Sequence, residues 1–488
     1  MCMPPSVHLY IPPMTTPPLL LAGDLRPASR TAEIRSPWDG SLVGHAPLAT
    51  RAEVIAAIDA AVAAAPAAAA MPSHARAAAL HALRHGLAAR RAPLAELLAR
   101  EAGKPITLAR LELDRALFVL EIAAEEARRM NGEVLPLDLL PSGEGRWALG
   151  RRFPLAPISA ITPFNFPLLL SIHKLAPAMA CGATMVLKPP PQDPLTVMAL
   201  GELLVECGYP RGAVSLVPCA VEDAAPLVDD PRVRMLTFTG SAAVGWELRR
   251  RAGNRKVALE LGGNAAVIVE PDADIAHAVT RCVAGGFGYA GQSCISVQRI
   301  LVHEDVADGF TRRLVEAVHA LRAGDPLDPA TELGPMIDER SAARVAGWID
   351  EAVAAGAQLA TGGTRAGNRL APTVLLGAPP GAKVNVEEVF APLVAVQPYH
   401  DFAEAVREVN ASRYGLQAGV FTSNLQRALA AWESLEVGAV VIGDIPGFRV
   451  DHMPYGGVKD SGLGREGPRY AIEEMTELKL LVVNRHLG

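Results

Sequence analysis

The chain lacks the features that mark several large classes of protein. It has no run of about 18 uncharged apolar residues, so no membrane span is predicted. Its alanine-rich stretch, residues 56–70, is interrupted by Asp59 and Pro66, which indicate the start and the end of a helix. The net charge is −6, from 46 basic and 52 acidic side chains. That balance gives no reason to expect nucleic acid or an anionic membrane as a partner.

Cysteine is scarce, and its spacing excludes common metal sites. The six cysteines are Cys2, Cys181, Cys207, Cys219, Cys282 and Cys294. None forms a Cys-x-x-Cys pair and no histidine spacing suggests zinc, so no metal is predicted. So few thiols suit a reducing cytoplasm rather than a disulfide framework. Residues 1–21 lack the basic and apolar regions of a secretory signal, and we interpret them as a flexible proline-rich arm.

The pattern that is present indicates an α/β protein of two or three domains. Half of the 488 residues are hydrophobic, enough for more than one core. A helical pattern runs from Arg51 to Met130, and residues 132–152 resemble a hairpin that leaves the domain. Short apolar runs then alternate with helical segments, as in a parallel, doubly wound sheet. The runs are residues 158–161, 184–187, 214–217, 235–239, 265–269, 299–302, 392–396 and 419–421.

One segment, residues 285–296, places a cysteine among small residues. Cys294 follows four glycines there, so its thiol has little steric cover. Thiols form covalent intermediates with carbonyl carbons near neutral pH because a useful fraction of them ionises. For this segment alone, a buried cysteine beside a glycine-rich turn is the commoner case.

A second segment, residues 238–245, joins a strand to a helix through a tight turn. The strand ends at Thr239, Gly240 follows, and a helix begins near Ser241. Backbone N–H groups at such a helix start bind phosphate. Taken alone, an ordinary strand–turn–helix connection explains this pattern more often.

Two further residues suit acid–base and oxyanion chemistry. Glu260 ends an apolar strand, and an apolar setting raises a carboxyl pKa toward the range of a general base. Asn165 lies between Pro163 and Pro167, which would hold its amide as a fixed donor to an oxyanion. The structural alternatives are a capping or ion-paired glutamate and an asparagine that caps its own turn.

These segments occur in the order found in the aldehyde dehydrogenase superfamily, which the chain resembles from about Leu21 onward. Several independent motifs in one order make coincidence negligible, so the functional interpretation of each residue outweighs its alternative. The motifs are Pro-Phe-Asn-Phe-Pro at 163–167, Leu-Lys-Pro at 187–189, Phe-Thr-Gly-Ser-x-x-x-Gly at 238–245, Glu-Leu-Gly-Gly at 260–263, Gly-Gln-Ser-Cys at 291–294, Glu-Glu-Val-Phe-Ala-Pro at 387–392 and Pro-Tyr-Gly-Gly-Val-Lys-Asp-Ser-Gly at 454–462.

The resemblance implies an aldehyde dehydrogenase-like fold: two Rossmann-like, doubly wound domains and a small β extension that bridges subunits. The late apolar run at residues 478–483 would pair with another subunit, giving a homodimer or homotetramer. We place the arm at 1–21, the cofactor-binding domain at 22–130 and 153–258, the catalytic domain at 259–452 and the extension at 131–152 and 470–488.

The resemblance also assigns roles. Cys294 would attack an aldehyde, the Asn165 amide and the Cys294 backbone N–H would hold the oxyanion, and Glu260 would activate water to hydrolyse the thioester. The glycines before Cys294 would leave room beside the sulfur, and Glu260 favours a free acid over acyl transfer to coenzyme A. The residues implied to bind NAD or NADP are Lys188, Gly240, Ser241, Gly245, Leu261, Glu388, Phe390 and Phe164, the last in place of a commoner tryptophan.

Departures from the family pattern bear on specificity. Pro191 stands where NAD-preferring relatives often carry a glutamate, so repulsion of a 2′-phosphate is absent and NADP should be accepted. Arg115 and Arg449 occur in pocket-lining segments whose style resembles subgroups acting on lactaldehyde, phosphonoacetaldehyde or glyceraldehyde 3-phosphate. Two arginines suit a small anionic or hydroxylated aldehyde, but ion pairs with nearby carboxylates explain them equally. Ser293 stands where relatives acting on glyceraldehyde 3-phosphate can carry arginine, which argues against a close match.

Two other functions use the same residues. A cysteine esterase needs a general base for Cys294, and no histidine motif supplies one. A non-catalytic protein would not need Cys294, Glu260 and Asn165 together. The sequence therefore predicts a cytoplasmic NAD(P)-dependent aldehyde dehydrogenase.

Overall fold

The structure, a computed structural model of the chain, describes residues 16–485. The helices are α1 (Arg51–Ala70), α2 (Ser73–Ala89), α3 (Arg91–Ala102), α4 (Ile106–Arg129), α5 (Pro167–Cys181), α6 (Leu195–Met198), α7 (Leu200–Glu206), α8 (Ala225–Asp229), α9 (Ala242–Arg251), α10 (Ile275–Phe287), α11 (Glu304–His319), α12 (Glu339–Ala354), α13 (Lys383–Val386), α14 (Phe402–Asn410), α15 (Leu425–Ser434) and α16 (Pro468–Glu474).

The strands alternate with these helices. They are β1 (Leu19–Leu21), β2 (Asp24–Arg26), β3 (Arg30–Arg35), β4 (Leu42–Leu48), β5 (Glu133–Pro136), β6 (Arg146–Pro154), β7 (Ile158–Ile161), β8 (Met185–Lys188), β9 (Val214–Leu216), β10 (Met235–Thr239), β11 (Lys256–Glu260), β12 (Ala266–Val269), β13 (Arg299–His303), β14 (Gln358–Thr361), β15 (Arg365–Ala366), β16 (Arg369–Leu370), β17 (Thr373–Leu376), β18 (Leu393–Tyr399), β19 (Tyr414–Gly415), β20 (Gln417–Phe421), β21 (Ala439–Ile442), β22 (Val458–Lys459), β23 (Gly462–Leu463) and β24 (Thr476–Asn484).

The first large sheet has a parallel centre. Its strand order is β2-β1-β9-β8-β7-β10-β11-β23, and the five strands from β9 to β11 in that order run parallel. All four residues of β8 are buried, as expected of a strand covered on both faces. Because β7 lies at the centre, the chain winds outward in both directions from it, which is the doubly wound arrangement.

The second large sheet repeats this architecture with order β14-β17-β18-β13-β12-β20-β21. All its pairs are parallel except that of β14 with β17. Each of the eight alternating apolar runs between residues 158 and 421 falls on a strand of one of the two large sheets. The predicted fold class, two doubly wound sheets in an α/β protein, is confirmed.

A third, three-stranded sheet has order β24-β6-β5 and is antiparallel throughout. The hairpin of β5 and β6 pairs with the last strand, across a register that runs from Thr476 opposite Pro154 to Asn484 opposite Arg146. The hairpin and the end of the chain therefore form one small sheet separate from the two large ones.

Two sequence predictions about local structure are wrong. The flexible arm was placed at residues 1–21, but Leu19–Leu21 is a buried strand that pairs with β2 and β9 because three leucines can complete the core beside that sheet. Residues 1–15 lie outside the described part. Pro66 was expected to end a helix, but α1 continues through it to Ala70.

Helix α1 begins with a capping box. The Thr50 hydroxyl accepts from the Glu53 N–H at 3.2 Å, and the Glu53 carboxylate accepts from the Thr50 N–H at 2.7 Å. By length and composition, α1 is the one helix within residues 16–485 that could cross a membrane. Its apolar side includes Val54, Ile58 and Ala61, which are buried against Leu19 and Val186. The helix therefore contributes to the core beside the first sheet.

Candidate active site

A cavity of about 450 Å³ lies at the carboxyl ends of β7, β10 and β11. Loops that follow the carboxyl ends of parallel strands are the usual place for ligands in doubly wound sheets. The opposite wall comes from the segment around Cys294, from α12, and from residues 388–390 and 447–466. Eleven of the thirteen predicted site residues line it: Arg115, Phe164, Asn165, Gly240, Ser241, Glu260, Leu261, Cys294, Glu388, Phe390 and Arg449.

Lys188 and Gly245 do not line the cavity. Lys188 is buried at the end of β8, where burial lowers the pKa of its ammonium group. A Cβ at Gly245 would lie 2.3 Å from a methyl carbon of Leu261, so this glycine allows α9 to pack closely against Leu261. Its contact with a ligand in the cavity would be indirect.

Cys294 presents its thiol to the cavity beside one polar partner. Its Sγ lies 2.9 Å from the Tyr455 hydroxyl. Burial raises the pKa of the thiol to about 11, although the Tyr455 hydrogen bond and the nearby Arg449 favour the thiolate. The other described cysteines, Cys181, Cys207, Cys219 and Cys282, are buried and unpaired. Of the described thiols, Cys294 is therefore the one that faces the cavity.

Three of the four glycines before Cys294, Gly285, Gly286 and Gly291, are closely packed against neighbouring segments. A Cβ at Gly291 would lie 2.1 Å from the Ala391 carbonyl oxygen, and one at Gly286 would lie 2.6 Å from Val394. Tyr289 and Ala290 have φ of 51° and 52°, and Gly291 follows at 67°. The prediction that the glycines leave room beside the sulfur is therefore wrong for these three, because a side chain at each would meet a neighbouring segment.

The Asn165 amide is held next to the cysteine segment. Asn165 is 4% exposed, and its side-chain Nδ2 donates to the Gln292 backbone carbonyl at 3.1 Å. The backbone carbonyl of Asn165 accepts from Lys104 Nζ at 2.6 Å. Its Oδ1 is buried without a partner among the described residues. One N–H of the amide therefore fixes the side chain, and the second is available to a ligand.

Glu260 is a buried carboxyl group with a strongly perturbed pKa. It is 6% exposed, and its Oε2 has no hydrogen-bond partner within the described residues. Burial and the neighbouring Glu466 raise its pKa well above the ordinary value, against the opposing effects of Arg449 and Lys174. A Cβ at Gly456 would lie 3.1 Å from its Oε1, so Glu260 and Cys294 both approach the turn at Tyr455–Gly456.

The other end of the cavity fits a dinucleotide. Ser241 caps α9 without a side-chain hydrogen bond to the helix and lines the cavity, so the first backbone N–H groups of α9 have no side-chain cap next to it. Glu388 accepts from the Gly263 N–H at 3.2 Å, and burial raises its pKa to about 7. A Cβ at Gly262 would overlap the Glu388 carboxylate at 2.2 Å, so glycine there keeps this carboxylate in place.

Two aromatic rings close the same end of the cavity. Phe164 and Phe390 lie edge to face, with ring centroids 5.8 Å apart. Phe390 has a φ of 53°, in the left-handed region that few non-glycine residues adopt. The two rings provide an apolar wall of the kind that a flat heterocycle packs against.

Both candidate substrate arginines form ion pairs. The Arg115 guanidinium donates to both oxygens of Asp451, at 2.9 and 2.7 Å, and 25% of its side chain is exposed. Arg449 donates to Glu466 at 3.1 Å and lies 3.6 Å from Asp451. Both arginines therefore have carboxylate partners, and both also line the cavity.

The comparisons with known proteins decide the family. The sequence model described as the Aldehyde dehydrogenase family matches residues 25–481. The chain belongs to the aldehyde dehydrogenase family. It is 46% identical over 399 residues to a 3-sulfolactaldehyde dehydrogenase from Priestia aryabhattai, covering 82% of this chain and 84% of that one.

Solved structures of aldehyde dehydrogenases match nearly the whole chain. Aldehyde dehydrogenase 21 from Physcomitrella patens, solved with the reaction product succinate, has a TM-score of 0.95 and 42% identity, over 98% of this chain and 100% of that one. A glyceraldehyde-3-phosphate dehydrogenase from Methanocaldococcus jannaschii, solved with NADP, has a TM-score of 0.90 and 36% identity. That match covers 93% of this chain and 100% of the other chain. The predicted family and enzyme class, an aldehyde dehydrogenase that uses NAD or NADP, are confirmed.

The polar residues of this aldehyde dehydrogenase cavity that sequence reasoning missed include Gln292, Arg344, Tyr455 and Glu466. Tyr455 lies within the Pro-Tyr-Gly-Gly motif that identified the family, so its position carried a signal. Glu466 and Arg344 lie outside the quoted motifs, so no sequence signal indicated their place in the cavity. No group of three or more metal-ligating side chains occurs between residues 16 and 485.

Proposed function

We propose that this aldehyde dehydrogenase oxidises a short aldehyde bearing a negatively charged group, with Cys294, Asn165 and Glu260 carrying the reaction. The observation that carries the proposal is the make-up of one cavity. It holds the Cys294 thiol, the Asn165 amide and the Glu260 carboxyl, together with three arginines, Arg115, Arg344 and Arg449.

The charge balance around the cavity favours an anion. Its three carboxyl groups are Glu260, Glu388 and Glu466. Burial raises the pKa of Glu388 to about 7, and burial with the neighbouring Glu466 raises that of Glu260 well above normal, so the neutral form of both is favoured relative to an ordinary glutamate. Burial opposes the charge of Glu466, but Lys174, His173 and Arg449 outweigh it and lower the pKa to about 2. Arg449 is the cation that favours the charged form of the thiol, and Arg115 and Arg344 line the same cavity.

Arg115 is the best placed to meet the anionic group. Its Nε and Nη2 are taken by Asp451, and no partner for Nη1 is found within the described residues. A guanidinium that is fixed by a carboxylate on one edge can donate from the other. The Priestia relative is named for 3-sulfolactaldehyde, and the Physcomitrella enzyme was solved with succinate, and both of these are anions.

The reaction follows from the positions of these groups. The Cys294 thiolate attacks the aldehyde carbon, the S–C bond forms, and the carbonyl electrons move to oxygen. The free N–H of Asn165 and the Cys294 backbone N–H stabilise that oxyanion. A bound NAD(P)⁺, held by the residues described below, would supply the acceptor for the hydride of this carbon. Glu260 then removes a proton from water, the hydroxide attacks the thioester, and the Cys294 thiolate leaves as the acid forms.

The residues present fit a dinucleotide and do not exclude its 2′-phosphate. The start of α9 at Ser241 would hold phosphate, Glu388 would bind the nicotinamide ribose, and Phe164 and Phe390 would flank the ring. Pro191 is exposed at the end of β8, so no carboxylate at that position repels a 2′-phosphate. We propose that NADP is accepted.

The test is an aldehyde panel with both cofactors, read at 340 nm. We expect succinate semialdehyde to be oxidised with a lower KM than butanal, a four-carbon aldehyde with a methyl group in place of the carboxylate. Arg115→Leu should raise KM for the anion about 10-fold, the value of one charge-assisted hydrogen bond, and spare butanal. Arg110→Leu, an exposed arginine on the same helix, is the control. Equal losses on both aldehydes would remove Arg115 from this role.

We propose that the chain forms a homodimer or homotetramer through β24. This strand is at an edge of its sheet, and its exposed side chains include Leu478, Leu480 and Val482. An apolar edge strand pairs readily with another chain. Leu480→Lys should shift the protein to a smaller species on size exclusion, whereas an unchanged elution volume would contradict this role of β24.

The remaining assignments are also proposals. We assign the first sheet to the cofactor-binding domain, the second to the catalytic domain and the third to the bridging extension, and we propose a cytoplasmic location. Unpaired cysteines throughout the described part are consistent with a reducing compartment.

A further inference from the structure

The side chain nearest to the proposed nucleophile is a phenol. The Tyr455 Oη lies 2.9 Å from Cys294 Sγ, and no other hydrogen bond to this sulfur occurs within the described residues. The two residues are 161 positions apart in the chain. Ile295 and Leu416 pack around them, so the contact is shielded by apolar groups.

The position of Tyr455 is fixed by its own backbone. Its N–H donates to the Glu466 carbonyl at 3.1 Å, and the Glu466 N–H donates back to the Tyr455 carbonyl at 2.6 Å. The side chain is 3% exposed. The two backbone bonds fix where this side chain starts, and its low exposure leaves the hydroxyl little freedom to turn away from the sulfur.

A cation lies on the face of the same ring. The Arg449 guanidinium carbon is 3.7 Å from the centroid of the Tyr455 ring, and Glu466 and Asp451 hold the guanidinium there. A cation over an aromatic face withdraws electron density from the ring, and the hydroxyl of such a phenol is a stronger hydrogen-bond donor. Arg449 and Tyr455 therefore form a chain that ends at Cys294.

Once Cys294 is ionised, the phenol is the donor in this pair, because a thiolate has no proton to donate. Burial raises the pKa of Tyr455 well above its ordinary value, so the hydroxyl keeps its proton throughout the working range. The thiol, in contrast, has a partner that stabilises its charged form. When the thiol ionises, its proton passes to solvent through the cavity, and the pair then carries one negative charge on sulfur.

We propose that Tyr455 is a further catalytic residue, whose hydroxyl donates a hydrogen bond to the Cys294 thiolate and holds it in the ionised form. The proposal rests on the proposed role of Cys294 as nucleophile. The bond is strongest to the free thiolate and weak to a sulfur already bonded to carbon. Tyr455 therefore favours the thiolate before attack and again when it leaves the thioester.

The test measures the thiol itself. The rate of Cys294 alkylation by iodoacetamide is followed against pH, with Cys294→Ser protein giving the background from the remaining cysteines. A hydrogen bond to a charged group corresponds to a pKa shift of about one to two units, so Tyr455→Phe should move the inflection upward by that amount. The thiolate fraction below the inflection then falls about 10- to 100-fold.

The control removes a different buried phenol. Tyr209 donates to the Ala183 carbonyl at 2.9 Å, away from the cavity, so Tyr209→Phe loses one buried hydrogen bond without touching Cys294. Its inflection should match that of the wild type. An unchanged inflection in Tyr455→Phe would overturn the proposal.

A second measurement applies if Tyr455→Phe does not fold. Wild-type protein biosynthesised with 3-fluorotyrosine carries a more acidic phenol of nearly the same shape. Its alkylation inflection should move downward, and no movement would overturn the proposal.

Aldehyde oxidation separates this proposal from the proposed function. In Tyr455→Phe, kcat/KM should fall about 10-fold or more at neutral pH and recover toward the wild-type value at high pH, because the lost thiolate is regained there. A packing role alone would give a loss that does not vary with pH. Wild-type protein that reduces no cofactor with any aldehyde would refute the proposed function, whereas the alkylation profile still decides on Tyr455.

Discussion

Replacing Glu260 by glutamine tests the order of steps in this active site. Glutamine has nearly the same shape, so the packing against Gly456 and the position of Cys294 should be kept. What is lost is the proton acceptor, a carboxyl group that is 6% exposed and has one oxygen without a partner. The attack on the aldehyde and the hydride transfer do not need it, but hydrolysis of the thioester does.

The magnitude follows from that division. Each Glu260→Gln site should reduce one NADP⁺ rapidly and then stop, because the thioester on Cys294 is no longer hydrolysed. General base catalysis contributes about 10²- to 10⁴-fold, so steady-state turnover should fall by that factor. Rapid mixing with aldehyde and NADP⁺, read at 340 nm, gives the burst and the slow phase in one trace.

Glu388→Gln is the matched control. Glu388 is a second buried carboxyl group of the same cavity, with its pKa raised by burial to about 7. It bonds the Gly263 N–H beside the proposed cofactor site, so its loss should change the KM for the cofactor and give no burst followed by arrest. If Glu260→Gln slows the burst as much as the steady state, Glu260 acts before the thioester and the assignment is wrong.

The pH dependence of hydrolysis has a definite sign. Burial and Glu466 raise the pKa of Glu260, so the fraction in its basic form increases as pH approaches that raised value, and the wild-type slow phase should accelerate as pH increases. Glu260→Gln should lose this inflection. A wild-type hydrolysis rate that stays constant across neutral pH would contradict a base with a raised pKa.

Three other results are expected. Gly245→Ala places a Cβ 2.3 Å from a Leu261 methyl carbon and should push the Leu261 side chain toward the cavity. The KM for the cofactor should then increase about 10-fold, the size of a modest overpacking cost. An unchanged KM would show that Leu261 moves elsewhere. Pro191→Glu should lower kcat/KM for NADP⁺ more than for NAD⁺, and equal effects would remove position 191 from cofactor choice. Burial opposes the charge of Glu466, but the surrounding cations outweigh this effect and lower its pKa from 4.5 to about 2. The ionised Glu466 carboxylate therefore stabilises the fold above pH 4.5, and this contribution is lost as pH decreases toward 2. The free energy of unfolding from urea titrations should therefore differ less between wild type and Glu466→Gln as pH decreases from 4.5 toward 2. A difference that stays constant over this pH range would contradict the prediction.

The fold was predictable because its signals are local. Short apolar runs alternate with helical segments, and each run falls on a strand of the two large sheets. The turn from Thr239 to Ser241 also follows from sequence, since a strand end, a glycine and a helix start are consecutive residues. The two local errors have local causes: a proline within a helix was given too much weight, and three buried leucines at residues 19–21 were assigned to an arm.

The site was predictable where a motif names the residue. Cys294, Glu260 and Asn165 each belong to a short motif, and all three line one cavity. Lys188 and Gly245 belong to motifs as well, yet they lie behind the cavity wall. A motif gives the residue but not the direction of its side chain, which depends on how the neighbouring elements pack.

The sequence by itself determined the family, the two doubly wound sheets and the identity of the proposed nucleophile, base and oxyanion donor. Only the tertiary structure decided the partners of the arginines and of the sulfur. Arg115 bonds Asp451 across 336 positions, and Tyr455 reaches Cys294 across 161. Such contacts depend on how distant loops meet at the ends of parallel strands, and no local pattern records that geometry. The charge of the cavity and the ionisation of its thiol therefore depend on packing that the chain acquires only when folded.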